Sequence, residues 1–211
     1  MKKWIIFDVM GVIFTVGDDT NDLLFPFVQQ RNKFITREEL NNTYMDASLG
    51  KITSEEFWRR TGICQRGDEQ EVCKEYLDTC LKIDENFMQI ARRLKNGYNL
   101  AVLSNDVSEW SAYLREKFAI DDVIEFSIIS GDVKCRKPDI EIYQLAVNKA
   151  KVNAADCVFI DDRDKNLIPA MDLGMKVIRF LRDDDSARLR GVQSISSFLE
   201  LENMLKNIWK V

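Results

Sequence analysis

The sequence predicts an α/β fold: a doubly wound parallel sheet with a small, all-helical cap inserted after its first strand. Three observations predict it. Short apolar runs end in polar or acidic residues: Trp4-Ile5-Ile6-Phe7 before Asp8, Leu100-Ala101-Val102-Leu103 before Ser104-Asn105, and Cys157-Val158-Phe159-Ile160 before Asp161-Asp162. They are too short for helices and read as buried strands. From about residue 82 such runs alternate with helical periodicity, the pattern of repeated βα units with helices on both faces of a parallel sheet. Between about 20 and 81 helical periodicity runs without a strand. The expected division is an α/β core of residues 1–17 and 82–211 and a helical cap of residues 18–81.

Each element has its own signal. Residues 4–9 form the first predicted strand. Residues 11–17, bounded by Gly11 and Gly17, are expected to make a small hairpin or flap. In the cap, Leu23, Leu24, Phe27 and Val28, then Leu40, Tyr44 and Met45, then Phe57 and Trp58 recur at helical spacing. Thr36 with Glu39, and Thr53 with Glu56, carry the capping-box pattern, in which the two side chains satisfy each other's backbone N–H groups. Helices should therefore begin near 36 and 53. A helix over 84–96 presents Phe87, Ile90, Ala91 and Leu94 on one face and stops at Gly97. The order then runs strand 98–104, helix 107–117, strand 125–130, helix 139–150, strand 157–161, helix 163–173 ended by Gly174, and strand 175–180. A terminal helix starts at about 196, where Phe198, Leu201, Met204, Leu205 and Ile208 keep the period. Asp183-Asp184-Asp185 is expected to be a solvated loop.

Composition narrows the function. The 211 residues carry a net charge of −5, which argues against nucleic acid as the main partner. Arg59-Arg60 and Arg92-Arg93 are too short to change that. Lys2-Lys3 before an apolar run looks briefly like a signal peptide, but Asp8 interrupts it and no small-residue cleavage site follows. No stretch approaches the roughly 20 apolar residues that cross a bilayer. The expectation is a soluble, cytoplasmic protein with no membrane partner. The five cysteines form no CxxC pair and their number is odd, which fits reduced thiols better than a disulfide framework or a zinc site. The chain has no histidine. Mechanisms built on Ser-His or Cys-His pairs are thereby excluded, and proton transfer falls to carboxylates, lysine or water.

A carboxylate (Asp8), a hydroxyl (Ser104), a lysine (Lys137) and an acidic pair (Asp161-Asp162) thus come in order at strand ends and in the loop after a strand. Such a set can bind a divalent metal and a phosphate together. Each residue alone also has a structural explanation: turn former, strand-end serine, solvated loop lysine, helix cap. Together they are harder to explain so, because two adjacent carboxylates near a third repel without a cation.

The strings IIFDVMGVIF, VLSND, RKPDIEIY and VFIDDRDKN, with Ala170 and Gly174 beyond, resemble the four motifs of the haloacid dehalogenase-like hydrolase superfamily, in order and across almost the whole chain. The resemblance implies a Rossmann-like core, and residues 20–81 look like the small helical cap (C1 type) that part of this superfamily inserts after the first motif. It implies Asp8 as the nucleophile that takes a phosphoryl group, and Lys137 as the cation that bridges nucleophile and phosphate. Ser104, Asn105 and nearby backbone N–H groups would bind the phosphate oxygens. Mg²⁺ would be held by Asp8, the Met10 backbone carbonyl and Asp162, with Asp161 acting through water or as a second ligand. Asn166 would brace the loop. The implied function is Mg²⁺-dependent hydrolysis of a small phosphorylated metabolite, such as a sugar phosphate, through an aspartyl phosphate. Phe25, Phe27, Tyr44, Phe57 and Trp58 are candidates for the substrate pocket, although aromatics at helical spacing equally suit a core.

One position departs from the pattern. Most phosphatases of this superfamily carry a second Asp two residues after the nucleophile, where it protonates the leaving oxygen and then activates water. Here that residue is Met10, which transfers no proton. Three alternatives follow. A 2-haloacid dehalogenase would use Asp8 against carbon without metal, although the Asp161-Asp162 pair counts against that. A phosphonate hydrolase would need a Schiff-base lysine in the cap, for which Lys51 is a candidate and also an ordinary surface lysine. A binding protein that keeps the site without turnover is the third.

Overall fold

Six strands make up the sheet in the computed structural model, which describes residues 2–182 and 191–209. They are β1 (Lys3–Phe7), β2 (Tyr98–Ser104), β3 (Phe126–Ile129), β4 (Cys157–Asp161), β5 (Lys176–Phe180) and β6 (Gln193–Ile195). Their order is β3-β2-β1-β4-β5-β6, and every neighbouring pair is parallel. The expected charged loop Asp183-Asp184-Asp185 lies outside the described residues.

Between β1 and β2 the chain is helical: a π-helical turn, Thr20–Leu24, runs into α1 (Phe25–Gln29), followed by α2 (Arg37–Ser48), α3 (Ser54–Arg60) and α4 (Glu69–Cys80). The remaining helices are α5 (Phe87–Leu94), α6 (Ser108–Lys117), α7 (Ser130–Val133), α8 (Ile140–Ala150), α9 (Asp164–Asp172) and α10 (Phe198–Trp209). Alternate residues of each strand serve opposite faces of the sheet. Ile5, Phe7, Leu100, Val102, Val158 and Ile160 pack with Phe87 and Ile90 of α5, Leu114 of α6 and Leu201 of α10. Trp4, Ile6, Ala101, Leu103 and Phe159 pack on the other face with Ile142, Tyr143 and Ala146 of α8 and Leu167 and Ala170 of α9. Both faces are covered, so the strands are apolar throughout rather than alternating.

The order reverses at β1. From there the chain winds outward to β2 and β3, then returns to lay β4, β5 and β6 on the other side. The carboxyl ends of β1 and β4 therefore flank the topological switch point, where open α/β sheets form their ligand crevice. Register fixes the two ends side by side: Phe7 pairs with Ile160, and the Asp8 N–H donates to the Ile160 carbonyl at 2.8 Å.

Several expectations need correction. The first strand stops at Phe7 rather than residue 9, because the Val9 N–H turns to the Asp8 carboxylate at 2.6 Å and the chain leaves the sheet. Residues 11–17 form no hairpin. The Phe14 N–H returns to the Val9 carbonyl, Phe14 bridges to Ile83, and Val12, Ile13 and Phe14 are buried. The predicted helix at 84 starts at Phe87, since an Asp84 carboxylate oxygen accepts from the Asn86 N–H and holds residues 84–86 in a turn. The capping box at Thr36 is complete. The one at Thr53 is half made, because the Glu56 carboxylate is taken by Arg59 and Arg60. Strand β6 has no counterpart in the sequence reading.

The aromatics expected as pocket candidates are mostly core. Phe57 and Trp58 are fully buried, and Phe25 and Phe27 nearly so. Trp58 stacks on Trp110 of α6 at 5.4 Å between ring centroids, Phe57 meets the same ring edge-on at 5.1 Å, and the Trp110 indole N–H donates to Ser54 Oγ at 2.7 Å. Of the five, Tyr44 alone lines the crevice described below.

Candidate active site

Asp8 leaves β1 as a 94 % buried residue, and the reason it is tolerated is Lys137. The Lys137 ammonium lies 2.7 Å from Asp8 Oδ1 and 2.7 Å from Asp161 Oδ2, bridging the ends of β1 and β4. The backbone of Lys137 is pinned by Asn105, whose Oδ1 accepts the Lys137 N–H and whose Nδ2 donates to the Lys137 carbonyl, both at 2.8 Å. The Asn105 side chain therefore positions the lysine, and Asn105 also lines the cavity over the site. Asp161, wholly buried, also accepts from Asn166 Nδ2 at 3.0 Å on both oxygens and from the Arg163 N–H at 2.8 Å. Asn166 is held in turn by the Tyr143 hydroxyl, which donates to its carbonyl at 2.7 Å.

Asp162 has the opposite surroundings. It reaches between Gly11 and Gly17, and a Cβ on either glycine would overlap its carboxylate. Gly11 additionally has φ +78°, a left-handed conformation that favours glycine. Asp162 Oδ1 is buried with no hydrogen-bond partner among the described residues. One carboxylate oxygen from each of Asp8, Asp161 and Asp162 lies within 4.8 Å of the others. A buried orphan oxygen beside two more carboxylates is a donor set suited to a hard divalent cation such as Mg²⁺.

Electrostatics follow from this crowding. Burial, then the charge of Asp161, lifts the Asp8 carboxyl well above its usual range against the opposing pull of Lys137, and Asp162 lifts it further. Burial and Asp161 push Asp162 up to about 7. Burial alone would lower Lys137, but Asp161 and Asp8 override it and the ammonium is retained to higher pH.

A cavity of about 330 Å³ opens over this cluster. Asp8, Met10, Ser104, Asn105 and Lys137 line it, so the structure brings these sequence candidates together. Asp161 lies in the wall of neither this cavity nor its neighbour, and Asp162 lines an adjoining space that shares Gly17 and Arg163 with the first. Lys51 is exposed, pairs with Asp46 at 3.2 Å and does not line the cavity. Among the lining residues that the sequence did not single out are Asp19, Arg136 and Arg163. Arg136 directly precedes Lys137, and Arg163 follows the acidic pair. Asp19 had no signal beyond being acidic, because the loop return that brings it to the cavity wall is tertiary.

The model of the haloacid dehalogenase-like hydrolase family matches residues 2–172. The chain belongs to this family. It is a hydrolase, and its haloacid dehalogenase-like core is the six-stranded sheet described above. Among its relatives, the sesquiterpene phosphatase astK of Aspergillus oryzae is 28 % identical over 178 residues, covering 82 % of this chain and 87 % of the relative. D-ribitol-5-phosphate phosphatase of Bacteroides thetaiotaomicron is 23 % identical, covering 85 % and 92 %. A haloacid dehalogenase family enzyme from the same bacterium, solved with magnesium and inorganic phosphate, superposes with a TM-score of 0.74 at 18 % identity, over 89 % of this chain and 98 % of that one. The last likeness concerns the fold. No described helix is long and apolar enough to cross a membrane.

Proposed function

We propose that this hydrolase is a Mg²⁺-dependent phosphatase acting on a small phosphorylated metabolite, through an aspartyl phosphate on Asp8. The observation that carries the reading is the junction of Asp8, Lys137 and the Asp161-Asp162 pair at the switch point. Relatives that are phosphatases by name support the same reaction class.

Asp8, Asp162 and the Met10 backbone carbonyl would hold the ion, with Asp161 behind them. Asp162, with its orphan oxygen, suits a direct ligand; Asp161, committed to Lys137 and Asn166, suits an indirect one. When bound, the ion neutralises charge on the carboxylates and on the phosphoryl oxygens. Asp8 attacks phosphorus from its fixed place at the end of β1. Lys137 offsets the negative charge shared by nucleophile and phosphoryl group, preorganised by Asn105. Ser104, the last residue of β2, offers its hydroxyl to a phosphate oxygen, together with backbone N–H groups of the following turn. The segment 18–81 acts as the cap, shielding the site from water and limiting what enters. A cavity of about 330 Å³ suits a metabolite of sugar-phosphate size.

A screen of small phosphate esters with and without Mg²⁺ tests the reading. Release of inorganic phosphate that needs Mg²⁺ and disappears in folded Asp8→Asn is the expected result. Halide release from 2-haloacids without metal would replace it with the dehalogenase reading.

A further inference from the structure

We propose that Asp19 is the general acid and base of this hydrolase, supplying the proton that Met10 cannot. The proposal rests on the phosphatase reading. Alkyl phosphates need it, because an alkoxide leaves poorly unless it is protonated as the P–O bond breaks. The sequence offers no histidine for this, and the residue two beyond Asp8 is a buried thioether in the cavity wall.

Elimination along the cavity wall leaves Asp19. Arg136 and Arg163 are permanently protonated guanidinium groups. Lys137 is locked between two carboxylates. The Tyr44 hydroxyl is directed at the Asn105 carbonyl, and burial raises its pKa well above the ordinary tyrosine range. Asp139 and Lys165 are solvent-exposed. Asp19 is 92 % buried, lines the cavity together with Asp8 and Met10, and has no ion-pair partner within 4.0 Å among the described residues. Burial pushes its carboxyl up to about 7, which suits a group that must give and take a proton near neutrality.

The loop that carries Asp19 is fixed to the reacting centre. Arg163, at the start of α9, donates to the Gly17 carbonyl and faces Asp18 at 3.7 Å. Asp162 fills the gap between Gly11 and Gly17. Asp19 is thus held against the site by residues of both β4 and α9 termini.

The steps balance. Asp8 Oδ forms a bond to phosphorus as the ester P–O bond breaks, and the Asp19 carboxyl gives its proton to the departing oxygen, releasing the alcohol. The Asp19 carboxylate then takes a proton from water as the water oxygen attacks the phosphorus of the aspartyl phosphate. The Asp8–phosphorus bond breaks, inorganic phosphate leaves, and both carboxyls regain their starting state.

The test compares kcat/KM for an alkyl phosphate and for p-nitrophenyl phosphate at matched Mg²⁺, in wild type, Asp19→Asn and Asp19→Asn/Met10→Asp. Asp19→Asn is expected to lose about 10²–10⁴-fold on the alkyl ester and much less on the aryl ester, whose leaving group needs little help. Met10→Asp in the Asp19→Asn background is expected to restore part of the alkyl activity, since it returns a carboxyl to the same wall. Thermal unfolding and inorganic phosphate binding check that Asp19→Asn is folded; where it is not, Asp19→Ser is read in its place. An equal loss on both esters, or an unchanged alkyl rate, overturns the proposal. Asp8→Asn separates the two levels: turnover surviving there overturns the phosphatase reading itself, whereas a dead Asp8→Asn beside an unchanged alkyl-to-aryl ratio in Asp19→Asn overturns only the role of Asp19.

Discussion

Asp161 and Asp162 are adjacent in sequence and opposite in consequence. Asp161 is an ion-pair and hydrogen-bond anchor inside the fold, so Asp161→Ala leaves Lys137 with one carboxylate and Asn166 with none. Breaking a buried pair typically costs about 3–5 kcal/mol, and the surviving contact with Asp8 places this case near the lower figure. Urea unfolding checks it; a variant as stable as wild type would show that Asp161 holds nothing together. Asp162 is instead crowded, and the Arg163 guanidinium at 4.0 Å only partly offsets burial and the charge of Asp161. In metal-free protein its carboxyl titrates at about 7 when folded, against 3.8 as the ordinary value. Between these values the folded chain binds more protons than the unfolded one, so its contribution to stability falls as pH rises through the window. Asp162→Asn in EDTA should therefore show a shallower decline of Tm from about pH 4 to about pH 7, and it should lose Mg²⁺ binding by calorimetry. Parallel Tm profiles for wild type and variant would contradict the crowding. Residues such as Asp8, Ser104 and Asp161 were legible because each ends an apolar run at the carboxyl edge of a sheet. Asp19 was not, since its place on the cavity wall depends on how residues 11–17 fold back.

At the scale of elements, the segment from Gly11 to Gly17 and the turn after β4 interlock through one side chain. Gly17→Ala would press a methyl group against the Asp162 carboxylate and turn it away from Asp8. Disturbing the supports of a metal ligand commonly costs about 10–100-fold in affinity, and a loss of that size in Mg²⁺ binding, with the fold retained, is the expected outcome. Unchanged affinity would mean that the glycines are not needed for the approach. The main strands were readable because a parallel strand covered on both faces is apolar along its length. Strand β6, three residues with an exposed start, is too short and too polar to give that signal. The supposed hairpin failed for a related reason: Val12, Ile13 and Phe14 are apolar because they are buried, Phe14 against Phe118 just after α6 and bridged to Ile83 ahead of α5, not because they pair with one another as strands. The aromatics of α3 carried a helical period that sequence alone could assign to either a pocket or a core, and Trp110, about fifty residues away, decides it.

For the whole molecule, one apolar cluster runs without a break from α5 and α10, across the sheet, into Leu40, Phe57, Trp58 and Tyr76 of the helical segment. Unfolding should accordingly be a single transition. Tryptophan fluorescence, sensitive to Trp58 and Trp110, and far-UV circular dichroism should give coincident urea curves; two separated midpoints would show that residues 18–81 melt on their own. The same aromatic seam bears on traffic. Swinging the helices away from α6 would wet Phe57, Trp58, Tyr76 and Trp110 at once, and each large apolar side chain returned to water costs about 1.5–3 kcal/mol. A rigid doorway is far cheaper than a swinging one. If residues 18–81 cap the site as proposed, this seam favours passage through the standing opening over a swing of the helices, and turnover is expected to fall with the girth of the substrate.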